Sequence, residues 1–244
     1  MKITVKNLSK KFNNIFAVQD ITFDIPKNKT LGLLGPNGCG KTTSIGMMLG
    51  LIEPSAGQIL YDDKDINTTD KNYLLSQMNF ASPYIELPKK LTVKQNLEVY
   101  GRLYGVVNLN QRILEISSDL NLKYFLEKKT GELSSGQKNR VSLAKSLINK
   151  PKILFLDEPT ASLDPDIGDF VRNYIEDYKS KNDLTILLAS HNMNEVERLC
   201  DQIIMMKEGK IIDKGSCEDL IKLHGRNNLE ETFLKIARSK NELE

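Results

Sequence analysis

The residues Gly35-Pro36-Asn37-Gly38-Cys39-Gly40-Lys41-Thr42 follow the spacing G-x-x-x-x-G-K-[ST]. Glycines at 35, 38 and 40 let the backbone turn tightly and aim its amide hydrogens inward at an anion. Lys41 adds a mobile cation suited to the outer phosphates of a polyphosphate. Thr42 offers a hydroxyl to magnesium, an ion that keeps several waters and takes few protein ligands. Thr43 carries the run into a helical pattern, whose positive N-terminal end favours the same anion. Pro36, Asn37 and Cys39 occupy the variable positions of the cradle. Cys39 reads as a small residue tolerated there; a helix N-terminus lowers a thiol pKa, which makes it open to alkylation without giving it a catalytic role.

A second chemical group closes the run Ile153-Leu154-Phe155-Leu156-Asp157-Glu158. Ligands of parallel sheets bind at strand ends. Acids placed there could hold magnesium through Asp157 and, through Glu158, polarise a water attacking a γ-phosphate. The same pair could be no more than a polar strand end, and it is the cradle that favours the chemical reading. His191, in Ser190-His191-Asn192, follows another apolar run and could donate from its imidazole to that phosphate, although a lone histidine is more often structural. His224, in Lys222-Leu223-His224-Gly225, has no such setting and reads as a surface residue.

These groups need elements to hold them. Thr30-Leu31-Gly32-Leu33-Leu34 is nearly continuously apolar, as a strand covered on both faces should be, and it runs straight into the cradle. Lys2 to Lys6 and Ile21 to Ile25 read as earlier strands, the second closed by Pro26-Lys27-Asn28-Lys29. A helix is expected from Lys41 to about Leu51, stopped by Glu53-Pro54-Ser55-Ala56-Gly57, with a hairpin around Asp62-Asp63-Lys64. From Leu91 to Lys150 the pattern turns helical, opening on Thr92-Val93-Lys94-Gln95, a capping box. Strands return at Ile153 to Leu156 and Leu184 to Ala189, separated by a helix over Pro165 to Lys181, which is the order of a parallel crossover. A hairpin, Gln202 to Lys207 and Lys210 to Lys214 around Glu208-Gly209, precedes helices near Ser216 and Asn228.

The chain has 244 residues, 40% hydrophobic and 27% charged, which excludes disordered, fibrous and small disulfide-framed classes. Lys plus Arg at 34 against Asp plus Glu at 32 leaves 34 − 32 = +2, too balanced for a dedicated nucleic-acid binder, and no nucleic-acid partner is expected. The start, Met1-Lys2-Ile3-Thr4-Val5-Lys6, builds no signal peptide, and no run approaches the roughly 18 apolar residues of a membrane span. Three cysteines, Cys39, Cys200 and Cys217, without close pairing suit a reducing, cytosolic location.

A less general string, Leu133-Ser134-Ser135-Gly136-Gln137, lies upstream of the acidic run. Together with the cradle, the acids and His191 it resembles the signature of ABC-type ATPases, usually L-S-G-G-Q, with Ser135 the one departure. Ala161-Ser162-Leu163-Asp164 looks like the family's D-loop, and Phe12 stands where the family stacks an aromatic on adenine, with Phe16 also within reach. The glutamine that the family carries ahead of its helical subdomain is missing. Met78-Asn79-Phe80-Ala81-Ser82-Pro83-Tyr84 places it near Pro83, Gln77 lies too early, and Ser82 could offer a hydroxyl toward metal-bound water.

The resemblance implies an α/β fold: a P-loop core with a mainly parallel sheet, an N-terminal antiparallel β subdomain and an inserted helical subdomain at about residues 85 to 150, all in one domain spanning 1 to 244. It implies an ATPase using ATP and Mg2+. Phe12, residues 35 to 43, Ser134, Gly136 and Gln137 would be on the nucleotide, Thr42 and Asp157 on the metal, with Glu158 and His191 catalytic. Two such subunits, identical or different, would pair head to tail, each signature covering the partner's ATP. The expected companion is a membrane-spanning permease subunit, with this chain peripheral on the inner face of the cell membrane. The run Ser190 to Asp201 and the ending Leu229-Glu230-Glu231-Thr232-Phe233 look similar to subunits exporting drugs, lipids or polysaccharides. The alternative is a soluble ABC ATPase of macromolecular or iron-sulfur assembly.

Overall fold

The computed structural model describes residues 1–67, 70–83, 85–161 and 163–238, with residues 237 and 238 described by their backbone alone. Along the chain run β1 (Ile3–Phe12), β2 (Ile15–Ile25), β3 (Thr30–Leu34), α1 (Lys41–Met48), β4 (Ala56–Tyr61), β5 (Lys64–Asp65), α2 (Lys71–Ser76), β6 (Met78–Ala81), α3 (Val93–Leu103), α4 (Leu109–Asp119) and α5 (Ser135–Leu147). They are followed by β7 (Ile153–Asp157), α6 (Pro165–Lys181), β8 (Thr185–Ala189), α7 (Met193–Leu199), β9 (Gln202–Lys207), β10 (Lys210–Gly215), α8 (Cys217–His224) and α9 (Leu229–Arg238). Two compact units result, one of residues 1–71 with 185–238 and one of 72–184.

In the first unit β2, β1, β4 and β5 form an antiparallel sheet, in that order. Both strands at its start are longer than their apolar patterns suggest. Asn13 and Asn14 take φ of 43° and 70°, and two successive left-handed residues make the tight turn whose twist matches paired antiparallel strands. Asp62 and Asp63, at 46° and 65°, do the same between β4 and β5. The second sheet places β3 between β8 and β9, parallel to both, with β10 antiparallel beyond β9. All five residues of β3 and of β8 are buried, so their near-continuous apolar sequence fits strands covered on both faces. Helix α1 ends at Met48, short of the expected Leu51, and the buried Tyr61 hydroxyl donates to the Met48 carbonyl at that end.

His224 is not the surface residue its local sequence suggests. Its Nε2 lies 2.8 Å from Asp213 Oδ2, and its side chain keeps 15% of its exposure. That pair ties the end of α8 to β10.

The second unit is built on β6 and β7, a parallel pair in which Ala81 lies opposite Leu156. Helices α3, α4 and α5 occupy most of the stretch that reads as helical. Thr92 caps α3 as its sequence predicts: Gln95 N donates to Thr92 Oγ1 at 3.1 Å, and Thr92 N to Gln95 Oε1 at 2.9 Å. At the far end of α5, Arg112 Nη2 donates to the Leu147 carbonyl at 2.7 Å and its Nε to that of Ile148 at 3.2 Å, closing carbonyls that a helix end leaves open. No helix among the described residues is long and apolar enough to cross a membrane.

Candidate nucleotide site

In the first unit the glycine-rich loop leaves β3 and enters α1. Gly40 precedes the helix at φ 104°, a backbone that side chains rarely adopt, and a Cβ there would stand 2.5 Å from the Ala17 carbonyl oxygen of β2. Gly35 is confined differently, since its Cβ would meet the Met206 carbonyl oxygen at 2.4 Å. The tip of the β9–β10 hairpin pins the loop from outside: Gly209 N donates to the Cys39 carbonyl at 3.1 Å, and Gln19 N to the Gly209 carbonyl at 2.8 Å. Lys41 Nζ lies within the loop, donating to the carbonyls of Gly35 at 2.7 Å and Pro36 at 3.2 Å. Thr42 is exposed and Thr43 half-buried at the first turn of α1. The Cys39 thiol is buried against Gly35, and burial raises its pKa although the Lys41 charge opposes the shift.

Gly40→Ala is therefore expected to destabilise the chain by roughly 1–3 kcal/mol through backbone strain alone, and by more once the carbonyl contact is added. Gly38→Ala also meets a left-handed backbone, at φ 79°, but nothing lies within 4 Å of its Cβ. Urea unfolding midpoints should thus fall further for position 40 than for 38, and equal midpoints would contradict the account.

The parallel register of β3 and β8 sets Leu33 opposite Ala189, so the cradle and His191 emerge at the same edge of this sheet. His191 is exposed there. The turn that carries it is held by the buried Ser190, whose Oγ donates to Glu195 Oε2 at 2.5 Å and accepts from Asn192 N at 3.1 Å. Phe12 and Phe16 flank the Asn13-Asn14 turn, 48% and 43% exposed, with Lys10 Nζ 5.0 Å and Lys11 Nζ 5.2 Å from their respective ring centres. Each ring has a lysine ammonium over it, and exposure does not separate the two.

In the second unit Asp157 ends β7 and is buried, as is Glu158 just beyond it. Glu158 has φ of 53°, unusual for a residue with a side chain and of the kind that gathers at functional sites. Ala81, the last residue of β6, faces Leu156, and buried Ser82 and then Pro83 follow it as Asp157 follows Leu156. Ser134 caps α5, accepting from Gln137 N at 3.3 Å while its own N donates to Gln137 Oε1 at 3.0 Å. Gly136 is buried against α6, where a Cβ would stand 2.6 Å from Ile167 Cδ1, whereas Ser134 and Ser135 are exposed. That contrast explains why a hydroxymethyl group is accommodated at 135.

Sequence reasoning missed the residues that brace these groups. Asn139 Nδ2 donates to the Pro159 carbonyl at 2.6 Å, Lys145 Nζ donates to the Phe80 carbonyl at 2.8 Å, and Glu195 anchors Ser190. The available signal was weak: buried polar positions on the inward face of a short helix. Tyr84 and Ser162, quoted with the missing glutamine and the D-loop, lie outside the described residues.

A buried strand passing through a glycine-rich turn with a lysine into a helix, together with a strand ending in two buried acids, defines the class of P-loop nucleoside triphosphatases. Residues 18–161 match the ABC transporter family. The chain belongs to that family and is the ATP-binding, ATP-hydrolysing subunit of a transporter. It is 33% identical over 243 residues to the ABC transporter ATP-binding protein NatA of Bacillus subtilis, covering 97% of this chain and 98% of that one. Over 224 residues it is 34% identical to a Nod factor export ATP-binding protein of Burkholderia lata (90% and 72% covered). It is also 32% identical over 222 residues to an Fe(3+) ions import ATP-binding protein of Pectobacterium atrosepticum (89% and 62% covered). A solved dimeric bacterial ABC transporter cassette superposes with a TM-score of 0.80 at 25% identity, over 88% of this chain and 98% of that one. The fold is accordingly the α/β cassette with an antiparallel N-terminal sheet, a mainly parallel sheet and a helical insert.

Proposed function

We propose that this subunit powers export of a solute through a separate membrane-spanning permease, as one of two cassettes that face each other head to tail on the inner face of the cell membrane. The observation that carries the pairing is the exposed, self-capped start of α5 at Ser134 and Ser135. A helix N-terminus presented to solvent is a site for phosphate oxygens, and the phosphate it suits is the γ-phosphate of ATP held by the partner. Export is favoured by the likeness to the Nod factor export subunit.

Within each subunit, backbone amides of residues 35 to 43 and the Lys41 ammonium bind the phosphates, and Phe12 stacks on adenine. Glu158 takes a proton from the attacking water, and His191 donates to the γ-phosphate. Ser134, the Gly136 amide and Gln137's end of the capped turn close over the partner's nucleotide. The exposed Thr42 hydroxyl and the Asp157 carboxylate are hard oxygen donors of the kind magnesium takes, and they would hold it. Bound there, the ion would neutralise charge on the phosphates.

Copurification from native membranes tests the reading. A polytopic membrane subunit of about six apolar helices in the eluate supports it. Recovery with a soluble iron-sulfur or macromolecular scaffold, and no membrane subunit, would replace it with the assembly role. Reconstituted vesicles that accumulate solute on the face away from the ATPase establish export, and accumulation on the ATPase side refutes it.

A further inference from the structure

We propose that helix α5 sets the positions of Ser82 and Glu158 through two of its own side chains, Lys145 and Asn139, and that both are positioning residues for ATP hydrolysis. The two chain ends concerned leave neighbouring strands of one parallel pair. Lys145 Nζ donates to the carbonyl of Phe80, two residues before Ser82, and lies 3.5 Å from Asn79 Oδ1. The buried Asn79 returns the contact, its Nδ2 reaching Asn149 Oδ1 at 3.0 Å, and Asn149 Nδ2 reaches the Ser76 carbonyl at 2.9 Å. Six residues earlier on the same helix, Asn139 Nδ2 donates to the carbonyl of Pro159, the residue after Glu158. Ser82, Pro83, Asn139 and Pro159 border one small cavity of about 10 Å³, so the two ends and the helix converge on a single point.

The physics favours a positional role over a merely cohesive one. A residue in a left-handed backbone keeps that conformation only when its surroundings fix it. Glu158 is braced by its own carbonyl, which accepts from Ala161 N at 3.0 Å, and by the Asn139 bond one residue on. Burial presses the Lys145 ammonium down to about 8, which is the mark of a charge held in a poor solvent. A methionine would fill the same space without that cost; the Phe80 carbonyl, Asn79 Oδ1 and the Tyr100 ring, its centre 5.4 Å from Nζ, are what offset it here. Pro83 lacks a side-chain amide; alongside the ladder that ends at Ala81, the Lys145 bond to the Phe80 carbonyl ties this segment to α5.

The proposal rests on Glu158 being the residue that takes the proton from the attacking water, and the full chain with Mg-ATP tests the two separately. Glu158→Gln with unchanged turnover would remove that premise on its own. If Glu158→Gln is slow, Lys145→Met and Asn139→Leu are each expected to lower kcat about tenfold while KM and the nucleotide Kd stay within about twofold. Lys145→Arg, which keeps a cationic donor, should recover most of the lost rate. Asn139→Leu added to Glu158→Gln should cost nothing further, because Asn139 acts through Glu158. Asn139→Ala, which removes the donor without adding a buried charge, replaces Asn139→Leu should the latter not fold. Turnover within about twofold of wild type, a rate that falls in step with KM or the folded fraction, or Lys145→Arg as slow as Lys145→Met would each overturn the proposal.

Discussion

Glu158→Gln is expected to lower turnover by at least about 100-fold, the usual contribution of a general base, while ATP remains bound. Glutamine matches glutamate in shape and length but accepts no proton, so the buried pocket and the left-handed turn at 158 are preserved and the chemical step is lost. The larger consequence is for assembly. If ATP bridges two cassettes, each bound triphosphate favours the closed pair, and hydrolysis removes that preference. Moving the equilibrium from mostly open to mostly closed takes about 5.5 kcal/mol of differential binding, which two shared triphosphates can supply. Size-exclusion chromatography with Mg-ATP should therefore show the variant as a dimer and the wild type largely as a monomer. Unaltered hydrolysis in the variant would take Glu158 out of the role.

Lys41→Ala acts one step earlier. A hydrogen bond to a charged group contributes about 1.5–3 kcal/mol, so losing the ammonium should raise the nucleotide Kd roughly 10- to 100-fold. The side chain also holds the Gly35 and Pro36 carbonyls, and the loop loses that internal support in the same substitution. Titration with a fluorescent ATP analogue reads the effect, with a urea midpoint to show that the fold survives. A Kd unchanged in a folded variant would mean that the amine never reaches phosphate. Introduced together with Glu158→Gln, the substitution should also dissolve the trapped dimer.

The parts of this architecture legible in the sequence are those whose signal is local. β3 and β7 are short apolar runs ended by a glycine or an acid, and their burial on both faces removes any alternation that would confuse them with surface strands. The Thr92 capping box needs only a four-residue pattern, and the cradle is defined by spacing. What escaped depends on partners remote in sequence. β6 is four residues long and interrupted by Asn79, a buried polar residue whose partners include Lys145 of α5. α7 has seven residues and starts from an Asn192 cap that looks like loop sequence. The pairing of His224 with Asp213 joins residues 11 apart that a strand, a turn and a helix bring together. Among site residues, the catalytic types were visible because chemistry restricts them, whereas Asn139 and Lys145 are ordinary helix residues until their carbonyl partners are seen.

Cys39 draws one more consequence from the loop. Its sulfur is tucked beneath the glycine turn, pinned on the far side by the β9–β10 hairpin, and desolvation outweighs the neighbouring ammonium in holding it as a thiol. Its reactivity therefore depends on how often the turn lifts, since burial both covers the sulfur and keeps it protonated. A slow electrophile would clock that breathing, and a seated nucleotide would silence it.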